Sequence, residues 1–163
     1  MSEECEGDIT SRVREIRRQY EGEFDPKEYH ATYYHTLDEE VKFFLKCYHD
    51  AFNTESLLTG RSPRQRRLLE FGCGPVPVYA AAAAYYTASL TMCEILPKNR
   101  EELQAWMEGG EEALDWTPFF TYLASLMPPR NGEEVAERLR DVFQLVLPCD
   151  LTQREPLSPI RQK

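Results

Sequence analysis

The stretch Arg67-Leu68-Leu69-Glu70-Phe71-Gly72-Cys73-Gly74-Pro75 limits the fold more than any other part of the chain. Leu68, Leu69 and Phe71 supply a short apolar strand, and Gly72 and Gly74 punctuate its end. The alanine run beyond it, Tyr79 to Tyr86, predicts a helix, since alanine loses no side-chain entropy on ordering. Strand, glycine turn and helix make a corner of the nucleotide-binding kind. Glycine lets a ligand approach the backbone, and a helix N-terminus offers free N–H groups. The same turn also serves as a plain strand-to-helix connection, so the rest of the chain has to decide between the two.

The segments C-terminal to this corner favour ligand binding. Ala88 to Glu94 predicts a second strand ending in an acid, with Glu94 lying 20 residues past Gly74. In doubly wound α/β domains the acid closing the second strand accepts hydrogen bonds from a ribose. Pro97 opens a helix through Trp106 and Met107, closed at Gly109-Gly110, and Asn99 in its first turn faces the same crevice. Asp115-Trp116-Thr117-Pro118 breaks the chain before an apolar segment, Phe119 to Met127, readable as a buried helix or an extended piece. Pro128 to Gly132 predicts a loop, and Glu133 to Phe143 a helix with Val135, Leu139 and Val142 inward. Leu145 to Leu151 predicts a third strand whose Asp150 could accept from the exocyclic amine of an adenine. Carboxylates after both strands suit an adenosine-bearing cofactor.

Ahead of the sheet, residues 1–23 form a polar arm. Ser11 to Tyr20 reads either as a short amphipathic helix, with Val13, Ile16 and Tyr20 on one face, or as a frayed arm. Residues 24–60 form a helical region. Asp25, Pro26 and Glu28 start one helix, in which Tyr29 and Tyr33 lie one turn apart with Tyr34 beside them. These rings are either packing or a lid over a small ligand. A second helix over 37–58 places Leu37, Val41, Phe44, Leu45, Tyr48 and Phe52 on one side and ends near Gly60. Arg61 to Arg67 is a basic loop, and residues 152–163 are an irregular tail.

Composition narrows the class. The chain has 163 residues, 42% hydrophobic and 29% charged, enough for one globular domain with a core. A net charge of −9 argues against nucleic acid as a partner. No apolar run approaches a membrane span, and the acidic N-terminus carries no signal pattern, so a cytoplasmic protein without membrane partners is expected. The five cysteines show no CxxC spacing, which favours reduced thiols over a disulfide framework or zinc site. His30, His35 and His49 are too scattered to form a metal site.

At these residues the chain resembles the nicotinamide, phenylethanolamine and indolethylamine N-methyltransferases. The resemblance rests on Asp25-Pro26 through Tyr33-Tyr34, Leu69 through Pro75, and Asn99 followed by Glu102-Leu103 and Trp106. It continues through Asp115-Trp116-Thr117-Pro118, Cys149-Asp150-Leu151-Thr152-Gln153 and Pro156-Leu157. It spans nearly everything from residue 24 onward. It implies an α/β, Rossmann-like class I methyltransferase fold, truncated after the third strand, with an N-terminal helical lid. Residues 61–151 would be a partial S-adenosylmethionine-binding domain. The implied cofactor is S-adenosyl-L-methionine and the implied acceptor a small amine or pyridine. Tyr29 and Tyr34 would close over the methionine end of the cofactor, and Gly72, Cys73 and Gly74 would bring backbone against it. Glu94, where the family commonly has Asp, would take the ribose. Asn99 would support the adenosine side, and Asp150 with the backbone of Leu151 would fix the adenine.

Two departures stand out. Val78 occupies the position of a family tyrosine, and Tyr79 comes one residue late, behind Pro77. The family domain also continues to a fourth strand beside the first and on to a seven-stranded sheet, whereas this sequence stops at Lys163. The first strand is therefore expected to be an unpaired edge, a route to self-association, and no catalytic acid or base can be named. An alternative reading is an inactive half-domain that acts only by association. A nicotinamide-dinucleotide dehydrogenase is disfavoured, because Pro77 stands where its fingerprint needs glycine.

Overall fold

The computed structural model describes residues 3–60, 62, 65–127 and 130–157. Arg61, Pro63 and Arg64 of the basic loop, Pro128 and Pro129 of the predicted loop, and the tail from Ser158 lie outside the described residues. Helices α1 (Glu3–Glu23), α2 (Pro26–Tyr33) and α3 (Glu39–Thr59) precede strand β1 (Arg67–Phe71). Then come α4 (Val78–Ala81), a 3-10 turn at Ala84–Tyr86, β2 (Ser89–Glu94) and α5 (Pro97–Met107). The order closes with α6 (Thr117–Ser125), α7 (Gly132–Val142) and β3 (Phe143–Pro148).

Local chemistry sets several of these boundaries. The Asp25 carboxylate accepts from the N–H groups of Lys27 and Glu28 at 2.7 and 3.1 Å. Pro26 fills the first position of α2, where an N–H would have no partner. Asp38 caps α3 through the Val41 N–H at 2.8 Å. Asn131 and Glu134 close a reciprocal capping box on α7, at 3.0 and 2.9 Å.

α1 is longer than the helix expected over Ser11 to Tyr20, and its apolar stripe faces outward. Val13, Ile16 and Tyr20 are 43%, 61% and 50% exposed. Pairs along its own surface stabilise it instead: Arg17 with Glu21 at 2.6 Å, Arg18 with Glu15 at 3.0 Å, Gln19 with Glu23 at 3.2 Å. On α3, Val41 and Leu45 are buried, but Phe44 and Tyr48, expected inward with them, stay exposed. Only a narrow stripe of α3 meets α4, α6 and the 3-10 turn.

The alanine run does not form the single helix expected over Tyr79 to Tyr86. α4 stops at Ala81, and the chain turns before the 3-10 segment. Helix propensity has little weight in a piece this short, and Pro77 removes a donor at its start. Ala80 to Ala84 are all buried. The carbonyls freed by the break are met from outside: Arg138 of α7 donates to Ala84 O at 3.1 Å and to Thr87 O at 2.9 Å.

The three strands are parallel in the order β1-β2-β3. Leu68, Leu90, Met92 and Val146 face the main core with the buried sides of α3 to α7. Strands added in one direction with crossovers of one hand put all their crossover helices on one face. Among the described residues the other face carries a small cluster of Cys93, Leu147 and Cys149 with Leu69 and Leu157. There Phe71 and Leu145 stay 48% and 44% exposed. Among the described residues β1 pairs with β2 alone, so its outer edge is open, as expected.

β3 begins two residues earlier than expected and ends before Asp150, which was expected inside it. Its ladder stops because Asp150 folds the chain into a turn: its Oδ1 accepts from the Thr152 N–H at 3.0 Å, and its carbonyl accepts from the Gln153 N–H at 3.0 Å.

Candidate functional site

The C-terminal ends of β1 and β2 open into a cavity of about 350 Å³. Gly72 and Gly74 shape its floor with φ of 69° and 59°, a left-handed backbone that residues with a Cβ adopt at a cost. The Gly72 and Cys73 N–H groups both donate to Cys93 O, at 2.8 and 3.2 Å, which ties the turn to β2.

Glu94 is the central anchor. It is almost fully buried, and among the described residues no lysine or arginine pairs with its carboxylate. Its Oε2 accepts from the Gly74 N–H at 3.0 Å; its Oε1 accepts from the Leu96 N–H at 2.9 Å and from Asn99 Nδ2 at 3.2 Å. One side chain thus binds the glycine turn to the start of α5, and at least one acceptor position is left over.

Tyrosines form the walls. Tyr29 lies 5.8 Å from Tyr34 between ring centroids, and the Tyr34 hydroxyl is 3.5 Å from that of Tyr79. Burial, reinforced by the Tyr79 hydrogen bond, raises the Tyr34 hydroxyl well above the ordinary phenol range. Burial, with Glu70 and Glu94 nearby, likewise raises the Cys73 thiol, so it stays protonated and acts as wall rather than nucleophile.

The structure brings Tyr29, Tyr34, Gly72, Cys73, Gly74, Tyr79, Glu94 and Asn99 to this one cavity. Val78 points instead into the core and is fully buried, while Tyr79, one residue later, lines the cavity. Asp150 lies in a second cavity of about 360 Å³, which it lines with Arg17 and Ile95. Leu151 is exposed and lines neither of the two.

Sequence reasoning missed seven cavity residues: Tyr20 of α1, Phe24 just beyond it, Tyr48 of α3, Glu70 and Phe71 of β1, and Pro75 and Val76 after the glycine turn. Glu70 carried a usable signal, an acid inside an otherwise apolar strand. The residue is half-buried, but its Oε2 is enclosed and has no hydrogen-bond partner among the described residues. Desolvation pushes its carboxyl up to about 7. Between the ordinary carboxylate range and that value, the folded chain holds a proton that the unfolded chain has lost. Stability therefore falls as pH rises through the window, by roughly 3 kcal/mol in all, and the loss is complete above it. Glu70→Gln is expected to flatten this part of the stability–pH curve in urea titrations; an unchanged slope would show that the charge is well solvated.

Among the described residues no lysine, arginine or histidine lines this cavity; it is walled by rings and two carboxylates. Sequential parallel strands, a glycine turn leaving the first and a buried acid closing the second are the arrangement of a Rossmann-like class I methyltransferase fold. The profile of the NNMT/PNMT/TEMT family matches residues 14–162, and the chain belongs to that family. It is 31% identical over 149 residues to an indolethylamine N-methyltransferase of Oryctolagus cuniculus, covering 87% of this chain and 54% of that protein. It is 28% identical over 148 residues to a nicotinamide N-methyltransferase of Homo sapiens, covering 86% and 54%. Against a phenylethanolamine N-methyltransferase of Macaca mulatta it is 29% identical over 115 residues, 70% of this chain and 39% of that protein. The chain spans about half the length of the curated relatives it matches. No described helix is long and apolar enough to cross a membrane.

Proposed function

We propose that the chain is the cofactor-binding part of an S-adenosyl-L-methionine-dependent N-methyltransferase acting on a small amine or pyridine-type acceptor. The observation that carries this reading is the cavity's chemistry: seven aromatic rings and two carboxylates, with no basic side chain among its described lining residues. Such a wall favours a cation, through ring faces and uncompensated acids together. The implied cofactor is a sulfonium that also bears an ammonium group, and when bound it supplies an electrophilic methyl. Relatives named for indolethylamine, nicotinamide and phenylethanolamine support the acceptor class.

The residues divide the work by position. Glu94, with its remaining acceptor capacity, would hold ribose hydroxyls, and Asn99 would keep that carboxylate oriented. Glu70 Oε2, enclosed and without a partner among the described residues, would meet the ammonium group. Tyr29, Tyr34 and Tyr79 would exclude water around the sulfonium. Asp150 would face the adenine in the second cavity. Aligning an amine lone pair with the methyl supplies much of the rate in a reaction of this type, so the walls matter more than an added acid or base.

Calorimetric titration with S-adenosylhomocysteine and with sinefungin, which carries an ammonium in place of the sulfonium, tests this. One-to-one binding of both is expected, with protons released as the ligand ammonium lowers the Glu70 pKa. Absence of heat from folded, soluble protein would overturn the reading.

A second reading, association without catalysis, is favoured by the β1 edge, open among the described residues, and by the half-exposed Phe71 and Leu145 on the sheet face beside it. A parallel sheet is normally covered on both faces. Self-association through this edge is expected to show as dimers or larger species in light scattering, reduced by Phe71→Lys. A monodisperse monomer at high concentration would count against it.

A further inference from the structure

From Ser11 onward α1 lies against the crevice with little apolar burial to hold it. Val13 and Ile16 face solvent. The anchors described sit toward its C-terminal end and just past it: Tyr20 in the cavity wall, Lys98 Nζ donating to Gly22 O and Phe24 O at 3.4 and 3.1 Å, and an ion pair from Arg17 to Asp150.

That ion pair completes the Asp150 carboxylate. Oδ1 accepts from the Thr152 N–H at 3.0 Å and from its hydroxyl at 2.6 Å; Oδ2 accepts from Gln153 Nε2 at 3.0 Å and from Arg17 Nη1. A carboxylate has about four lone-pair positions, and four donors fill them. These donors, led by Thr152, hold the Asp150 carboxyl down at about 2, so it stays ionised. A ligand amine can reach it only by displacing one of them. Thr152 and Gln153 belong to Asp150's own turn, whereas Arg17 comes from another element and keeps Glu21, at 2.6 Å, as a second partner. Arg17 is the donor that can leave.

We propose that α1 is a strap over the crevice, latched by Arg17 on Asp150, and that a ligand bearing an exocyclic amine opens the latch by taking Arg17's place. The identity of that ligand rests on the function proposed above; the latch itself does not.

Limited trypsin digestion of the full chain separates the two. Cleavage after Arg12, Arg14 and Arg18 reports on α1, and cleavage after Arg140 in α7 reports on global unfolding. Arg17→Gln is expected to speed α1 cleavage by about three- to five-fold, the scale of a partly exposed ion pair, with α7 cleavage unchanged. Added salt should bring the wild type toward the variant and move the variant, which keeps the Arg18–Glu15 pair, less. Equal rates in both proteins, or α1 and α7 sites rising together, would overturn the latch. By calorimetry, Arg17→Gln is expected to bind S-adenosylhomocysteine about three-fold more tightly, because a competitor is gone. Weaker binding would overturn the competition. If neither protein binds it, competition by this ligand and the proposed function both fail, while the latch is still judged by the protease rates.

Discussion

Glu94→Ala is expected to weaken S-adenosylhomocysteine binding at least about 100-fold and to lower the melting temperature by roughly 6–12 °C. The two effects have one origin. The Glu94 carboxylate is the acceptor for Gly74 N–H, Leu96 N–H and Asn99 Nδ2. Removing it leaves three donors without a partner at a nearly buried position, at about 1–3 kcal/mol each before water enters the space left behind. At about 2–4 °C per kcal/mol in a chain of this size, a total near 3 kcal/mol gives the stated shift. Binding suffers further because the glycine turn and the start of α5 lose their common anchor, and the cavity floor with them. Glu94→Gln, which keeps one acceptor oxygen but sets an amide against a donor, should fall between. Calorimetric melting and ligand titration of both variants check this. A melting point within about 2 °C of wild type would show that the three donors find other partners, and that Glu94 is not the anchor.

Trp116→Ala is expected to cost about 3–5 kcal/mol of folding stability in urea unfolding, the range for removing a fully enclosed large ring. Trp116 is 1% exposed and joins elements far apart in sequence. Its ring lies 4.7 Å from His30 of α2 and 5.1 Å from Tyr34 at that helix's end, and 5.5 Å from Phe119 of α6. Truncation leaves a void between α2 and α6 and frees Tyr34, a wall of the candidate site, so ligand binding should weaken along with stability. Trp116→Phe should recover most of the loss, beyond what ring size alone predicts. The indole Nε1 has no hydrogen-bond partner among the described residues, and phenylalanine removes that unsatisfied donor. A loss below about 1 kcal/mol for the alanine variant would mean that the site collapses around the gap.

The two predictions differ in how far they can be read from the sequence. Glu94 is legible because the spacing from a glycine turn to an acid at the end of the next strand is a short-range pattern. Trp116 is legible only as part of an Asp-Trp-Thr-Pro break; its position between Tyr34 and Phe119 is not. Glu70 reads as one residue of a strand, because the enclosure that raises its carboxyl depends on the turn and on side chains from other elements. Tyr20 reads as part of a polar arm and Phe24 as the approach to the first lid helix, yet both line the cavity.

By itself the sequence determined the helix starts at Asp25-Pro26 and Pro97, the left-handed turn at Gly72 and Gly74, the strand type and the acid that ends β2. Capping, proline and glycine conformations and apolar runs act within a few residues, so they are written locally. The tertiary structure alone decided that the alanine run breaks after Ala81, that the crossover helices share one face, and that Glu70 and Glu94 meet in one cavity. It also decided that Arg17 reaches Asp150 across 133 positions of sequence. Such contacts depend on register and packing between distant segments, where burial outweighs propensity and no short pattern names the partner.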